Sequence, residues 1–176
     1  RAKTKGVIEM SMSNNHKRII TALVEDKPGV LNRVSSMFRR RGFNIYSLAV
    51  GRSESPDLSR MTFVVDGNDA VVEQVTKHLN KLIDVIKVSD ISDEKVVNRE
   101  LALIRVNAST TNRSEIIQIV DIFRAKIIDV GSESLIIEVT GDESKIDSLQ
   151  RLLSNFGITE VMRTGTIAMT RGKSEI

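Results

Sequence analysis

The chain has 176 residues, 40% hydrophobic and 28% charged, with 26 Lys and Arg against 23 Asp and Glu. That composition belongs to a globular chain, and no apolar run reaches the ~18 residues that a membrane span requires. The absence of cysteine excludes disulfides, thiolate metal sites and cysteine nucleophiles; a net charge of +3, with both signs interspersed, gives no basic face for nucleic acid despite a pI near 9.3.

Residues 1–17 are polar, carry Glu9 and lack an apolar core. They read as a leader or extension outside the fold and not as a secretory signal. Ile19 to Val24 form an apolar run expected to be a strand. Glu25-Asp26-Lys27-Pro28-Gly29-Val30-Leu31 follows, and Val30, Val34, Met37 and Phe38 then fall on one helical stripe. The heptapeptide is therefore a strand-to-helix turn. Pro28 suits a first helical position, Gly29 lets a ligand approach the main chain, and the free N–H groups of the first turn suit a carboxylate. Local pattern alone also allows a plain turn and helix start.

Arg41-Gly42-Phe43 closes this helix with a glycine suited to a left-handed cap, and Arg39, Arg40 and Arg41 oppose the helix dipole favourably. Asn44 to Val50 reads as a second strand, 51–58 as a hairpin loop and Met61 to Val65 as a third strand. Gly67-Asn68-Asp69 is positioned to cap a helix with Val72, Val75, Leu79 and Leu82 on its apolar stripe, and Asp84 to Val88 is a fourth strand. Strand, helix, strand, strand, helix, strand is the order of the split-βαβ, ferredoxin-like unit.

The order then repeats at a period of roughly 80 residues. Leu101 to Val106 is a strand; Ile116, Ile119, Val120 and Phe123 mark a helix; Lys126 to Val130 and Leu135 to Thr140 form a hairpin. Ile146, Leu149, Leu153 and Phe156 mark the last helix, and Ile158 to Arg163 the last strand. Asn112, with Glu115 three residues on, has the spacing of a capping box. The predicted fold is α+β, two tandem βαββαβ domains at 18–90 and 100–165, with 91–99 a linker and 166–176 a tail. The turn of the second copy, Asn107 to Ser114, has no Pro-Gly pair. One ligand site per chain would thus lie in the first half.

Asp26-x-Pro28-Gly29-Val30-Leu31-Asn32-Arg33-Val34, Phe38-x-Arg40-Arg41-Gly42-Phe43-Asn44-Ile45-x-Ser47-Leu48 and Ser59-Arg60-Met61-Thr62 resemble an ACT domain. More narrowly, these segments resemble the small, regulatory subunit of acetolactate (acetohydroxyacid) synthase. So do Leu82-Ile83-Asp84-Val85 at the end of the first half, and Arg99-Glu100-Leu101, Phe123 to Val130 and Arg163-Thr164-Gly165 further on. The resemblance implies a non-catalytic protein that binds, activates and confers feedback inhibition on a catalytic subunit. That subunit would carry the thiamine diphosphate, metal ion and FAD, so none is expected here. The ACT domains would pair as a homodimer around L-valine, or a related leucine or isoleucine, held between the first turn of one chain and the second strand of the other. By motif position, Gly29, Val30 and Leu31 would offer N–H groups to the carboxylate, Pro28 would stiffen the turn, and Asp26 would accept from the ammonium group. Asn44 and Ile45 would complete the pocket from the partner chain. Many members carry Asn where this chain has Asp26, and an acidic residue where it has Tyr46.

The alternative on the same resemblance is an ACT-domain amino-acid sensor regulating a different enzyme. No helix-turn-helix segment suggests a transcriptional regulator. A nucleic-acid binder on this fold would need aromatics on its central strands, where this chain has Ile, Leu, Val and Met. An enzyme would need clustered catalytic groups, and His16 and His78 are its only histidines. The expected location is the cytoplasm, or an organelle stroma if the leader is a transit remnant, with neither membrane nor nucleic acid as a partner.

Overall fold

The computed structural model describes residues 17–172. Of the predicted leader 1–17, residues 1–16, His16 included, lie outside the described residues, as do the last four positions of the tail, while Lys17 belongs to the first strand. The first half runs β1 (Lys17–Glu25), α1 (Val30–Arg41), β2 (Ile45–Arg52), β3 (Leu58–Asp66), α2 (Asp69–Leu79) and β4 (Val85–Asp90). Its antiparallel sheet has the order β2-β3-β1-β4. Alternation along β1 turns Ile20, Ala22 and Val24 toward the helices, where they meet Val30, Val34, Met37 and Phe38 of α1. Phe38 stacks on Phe63 at 5.2 Å between ring centroids and meets Phe43 edge-on at 6.3 Å. Gly42 ends α1 at φ 69°, with its N–H on the Arg39 carbonyl and the Phe43 N–H on that of Phe38. This is the paired closure of a left-handed glycine cap, as the sequence suggested.

The second half runs β5 (Val96–Asn107), α3 (Arg113–Ile122), β6 (Lys126–Val130), β7 (Ser134–Gly141), α4 (Glu143–Leu153) and, after a 3-10 turn at Ser154–Phe156, β8 (Ile158–Arg163) and β9 (Ile167–Thr170). Its path β6-β7-β5-β8 reproduces the first sheet strand for strand. Even the irregularities repeat: ladders shift between Leu23 and Val24 and between Ile45 and Ser47, and again 82 residues on, between Arg105 and Val106 and between Ile127 and Asp129. The chain is thus two tandem ferredoxin-like α+β units, as its sequence predicts. Asn68 and Asp142 cap the equivalent helices α2 and α4, accepting from the N–H groups of Val71 at 3.2 Å and Lys145 at 2.9 Å.

Three local expectations are corrected. The linker 91–99 and the tail 166–176 do not stay separate: Val96–Arg99 lengthens β5 beyond the expected strand and pairs with β9 at Ile167–Thr170. Asn112 precedes α3 in a helical conformation (φ −109°, ψ −7°) and caps nothing with its side chain, because capping needs extended backbone there. Pro28 lies outside α1, for the reason given below.

The two units meet on the face of the first sheet that looks away from its helices. Thr62 and Val64 of β3 point to that face by alternation with Met61, Phe63 and Val65, yet both are buried. At Gly165 the second unit lies against the Leu48–Ala49 peptide so closely that a Cβ would collide with the Leu48 carbonyl. The next N–H, of Thr166, donates to Ser47 Oγ at 2.7 Å. Lys17 of β1 and Tyr46 of β2 both donate to Glu143 at the start of α4, at 2.5 and 2.6 Å.

Candidate effector site

The chain leaves β1 at Glu25 and turns at Lys27–Val30, where the Val30 N–H donates to the Lys27 carbonyl at 3.3 Å. Pro28 takes the second position and Gly29 the third, at φ 87° and ψ −8°. These are the angles of a type II turn, which wants Pro then Gly for its own reasons. The proline ring suits that second position and a first helical position equally well, and Gly29 decides between them. Gly29 is therefore the residue before the helix, and α1 begins at Val30.

Among the described residues no side chain caps α1, and its first turn carries no acidic residue to offset the positive end of the helix. Val30 is built into the core at 3% exposure, while Leu31 beside it is 47% exposed and offers an aliphatic surface. Arg33 grips the buried carboxylate of Asp84 with two bonds, Nε at 2.5 Å and Nη2 at 2.8 Å. The Asp84 carbonyl also receives the Glu25 N–H at 2.9 Å, so this pair locks the first turn of α1 to the start of β4. Both residues belong to the segments that carry the resemblance, and their part in shaping the turn emerges only in the fold. An arginine one helical turn after the glycine, together with a lone Asp before a strand, was the available signal.

Asp26 is exposed; its N–H donates to the Asp57 carbonyl at 2.7 Å, and its carboxylate stands 3.8 Å from Arg52 Nε. It borders a hollow of about 390 Å³ lined otherwise by the hairpin Arg52–Leu58, and is alone among the predicted site residues in doing so. The structure thus places Pro28, Gly29 and Val30 in one turn, with Asp26 immediately before it and Leu31 immediately after. It does not bring Asn44 and Ile45 to them. Ile45 is level with Val65 and hence with Arg18, whereas the turn leaves the sheet seven residues further along β1, at Glu25. At about 3.4 Å per residue the two halves stand about 24 Å apart along the sheet.

This separation has a definite geometric meaning. Among the described residues no strand pairs with the outer edge of β2. A second copy laid antiparallel along that edge would bring its turn end to Asn44 and Ile45, and the same twofold would complete a second, identical pocket. Such a pocket would combine helix N–H donors, a carboxylate acceptor and aliphatic surface, the complement of a zwitterion with an apolar side chain. Among the described residues no helix is long and apolar enough to cross a membrane, and no group of three or more His, Cys, Asp or Glu could hold a metal ion.

The family model described as the AHAS small subunit-like ACT domain matches residues 20–87, and that described as the small subunit of acetolactate synthase matches 99–172. A probable acetolactate synthase small subunit of Archaeoglobus fulgidus is 58% identical over 90% of this chain and 99% of its own length. The acetolactate synthase small subunit of Mycolicibacterium smegmatis is 54% identical over 87% of this chain and 90% of its own. The crystal structure of the acetolactate synthase small subunit from Thermotoga maritima superposes with a TM-score of 0.84 at 45% identity, covering 89% of this chain and 98% of that one.

Proposed function

We propose that this chain, which belongs to the family of acetolactate synthase small subunits, binds the catalytic subunit, raises its activity and reports branched-chain amino acid to it as feedback inhibition. The observation that carries the reading is the pair of family matches, one on each half of the chain, with the Pro28-Gly29 turn only in the first. In this reading L-valine sits between two copies. Its carboxylate meets the N–H groups at the start of α1, its ammonium group meets Asp26, and its isopropyl group lies between Leu31 and the partner's Ile45. Thiamine diphosphate, metal and FAD belong to the catalytic subunit, and this chain contributes regulation and no catalytic group.

Valine that binds one arrangement of the dimer more tightly shifts the population toward it, and through the contact between subunits lowers the activity of the larger partner. Couplings of this kind amount to about 1–3 kcal/mol and are reciprocal in binding affinity. The test is reconstitution. Adding the chain to its catalytic subunit is expected to raise acetolactate formation, and L-valine is expected to lower it again. An activity indifferent to both additions would contradict the assignment.

A further inference from the structure

Tyr46, in β2, follows directly on the predicted pocket residues Asn44 and Ile45. It sits at the irregularity of β2, where Ile45 pairs with Val65 and Ser47 with Val64, so that Tyr46 is the extra residue of a bulge. Bulges re-aim the side chains around them. Here Tyr46 and Ser47 are both aimed at the second unit.

The two contacts lead to one helix by separate routes. Tyr46 donates its hydroxyl to Glu143 at 2.6 Å, the first residue of α4, which also takes Lys17 Nζ while that ammonium lies 3.6 Å from the centre of the Tyr46 ring. Ser47 accepts the Thr166 N–H at 2.7 Å; the Thr166 hydroxyl donates at 2.5 Å to Glu100, which is only 6% exposed. Glu100 in turn receives Arg163 Nε at 2.5 Å, and Arg163 Nη1 donates to Asp147 of α4 at 2.6 Å. Thr164 is fixed as well, its N–H on the Leu101 carbonyl and its hydroxyl accepting from the Leu101 N–H. A cleft of about 300 Å³ lies between these groups, bordered by Tyr46, Ser47, Glu100 and Arg163.

We infer that the Tyr46–Ser47 bulge is the relay between the two units: occupancy beside Asn44 and Ile45 moves the bulge, and Glu143 and Thr166 carry that movement to α4 and the second unit. The inference rests on the proposed effector site and adds the residues through which it is heard. The geometry leaves β2 little freedom to move alone. The Leu48–Ala49 peptide is pressed against Gly165 with no room for a side chain, and Ser47 is tied to the adjacent N–H. A displacement of β2 at Ile45 must either break these contacts or take the second unit with it.

The relay is tested by measuring the affinity for L-valine by titration calorimetry, with and without saturating catalytic subunit. The wild-type chain is compared with Tyr46→Phe/Ser47→Ala and with Gly165→Ala. By reciprocity the ratio of the two wild-type affinities measures the coupling, for which about 5- to 150-fold is typical. In the double variant the affinity of the free chain is expected to stay close to wild type while the ratio falls toward one. Gly165→Ala, which separates the same surfaces by steric means, is expected to do likewise, with thermal melting confirming that each variant is folded. A folded double variant that keeps the wild-type ratio overturns the relay and leaves the effector site standing. A wild-type chain that binds no valine in either form overturns the effector site and the relay together.

Discussion

Gly29 holds the third position of the Lys27–Val30 turn and Asp26 immediately precedes it, and the proposed site gives them different duties. Gly29 holds φ 87°, where an L side chain is strained, although the space around it is open except for Arg33 Nη1 at 3.6 Å. Gly29→Asp is expected to cost about 1–2 kcal/mol of stability through backbone strain. It also places a carboxylate where the effector's would sit, so inhibition by valine should vanish while activation of the catalytic subunit persists. Asp26 is exposed and only loosely paired with Arg52, a pair of the kind that contributes little to stability. Asp26→Ala is therefore expected to leave the melting temperature nearly unchanged. The lost hydrogen bond to a charged ligand should weaken valine binding by about 1.5–3 kcal/mol, roughly ten- to a hundredfold in Kd. Calorimetry and thermal melting on both variants separate the two duties, and equal melting temperatures would contradict the strain assigned to Gly29. The presence of the turn was legible in the sequence; the place of Pro28 within it was not, because one fixed φ serves two positions.

At the level of elements, apolar periodicity located the helices and central strands well, since each buries one face and the pattern is local. What the sequence concealed was pairing at long range. Val96-Val97-Asn98-Arg99 has no strand-like alternation, and its partner Ile167–Thr170 lies some 70 residues later in what read as a tail. The ladder exists because the two ends of the second unit come together in space, which no local window can register. Caps were read with mixed success: Asn68 accepts from the backbone, whereas Asn112 has the spacing of a cap without the extended backbone. Asn68→Ala and Asp142→Ala are each expected to cost about 1 kcal/mol, as deletion of a capping side chain does, and Asn112→Ala markedly less. Denaturant midpoints on the three variants check the order, and a cost for Asn112→Ala equal to the others would contradict it.

Over the whole molecule, internal duplication and the sequence signature of the family were legible, but the packing of one unit on the other was not. Gly165 and Thr166 look like an ordinary strand end until they are seen against β2. Part of that contact is electrostatic and responds to pH. Burial would raise the Glu143 carboxyl, but hydrogen bonds from Lys17 and Tyr46 and the charge of Lys17 outweigh it and hold the group below its ordinary 4.5. A depressed carboxylate stabilises the folded chain above that ordinary value and loses the contribution as pH falls through the lowered one. The stability difference between wild type and Glu143→Gln should accordingly be level above about pH 4.5 and shrink below it, as read from melting curves across that range. A difference that grew on acidification would contradict this account of the contact.

In the proposed reading the two halves of the site lie about 24 Å apart along one sheet of a single chain, so sensing would be a property of a pair of chains. The most direct measurement is isothermal titration of the purified chain with L-valine, with D-valine and L-lysine as controls. Saturable binding of L-valine alone is predicted, weakened by dilution that separates the pair and abolished by Gly29→Asp. Absence of heat with every branched-chain amino acid, or binding indifferent to Gly29→Asp, would contradict the effector site.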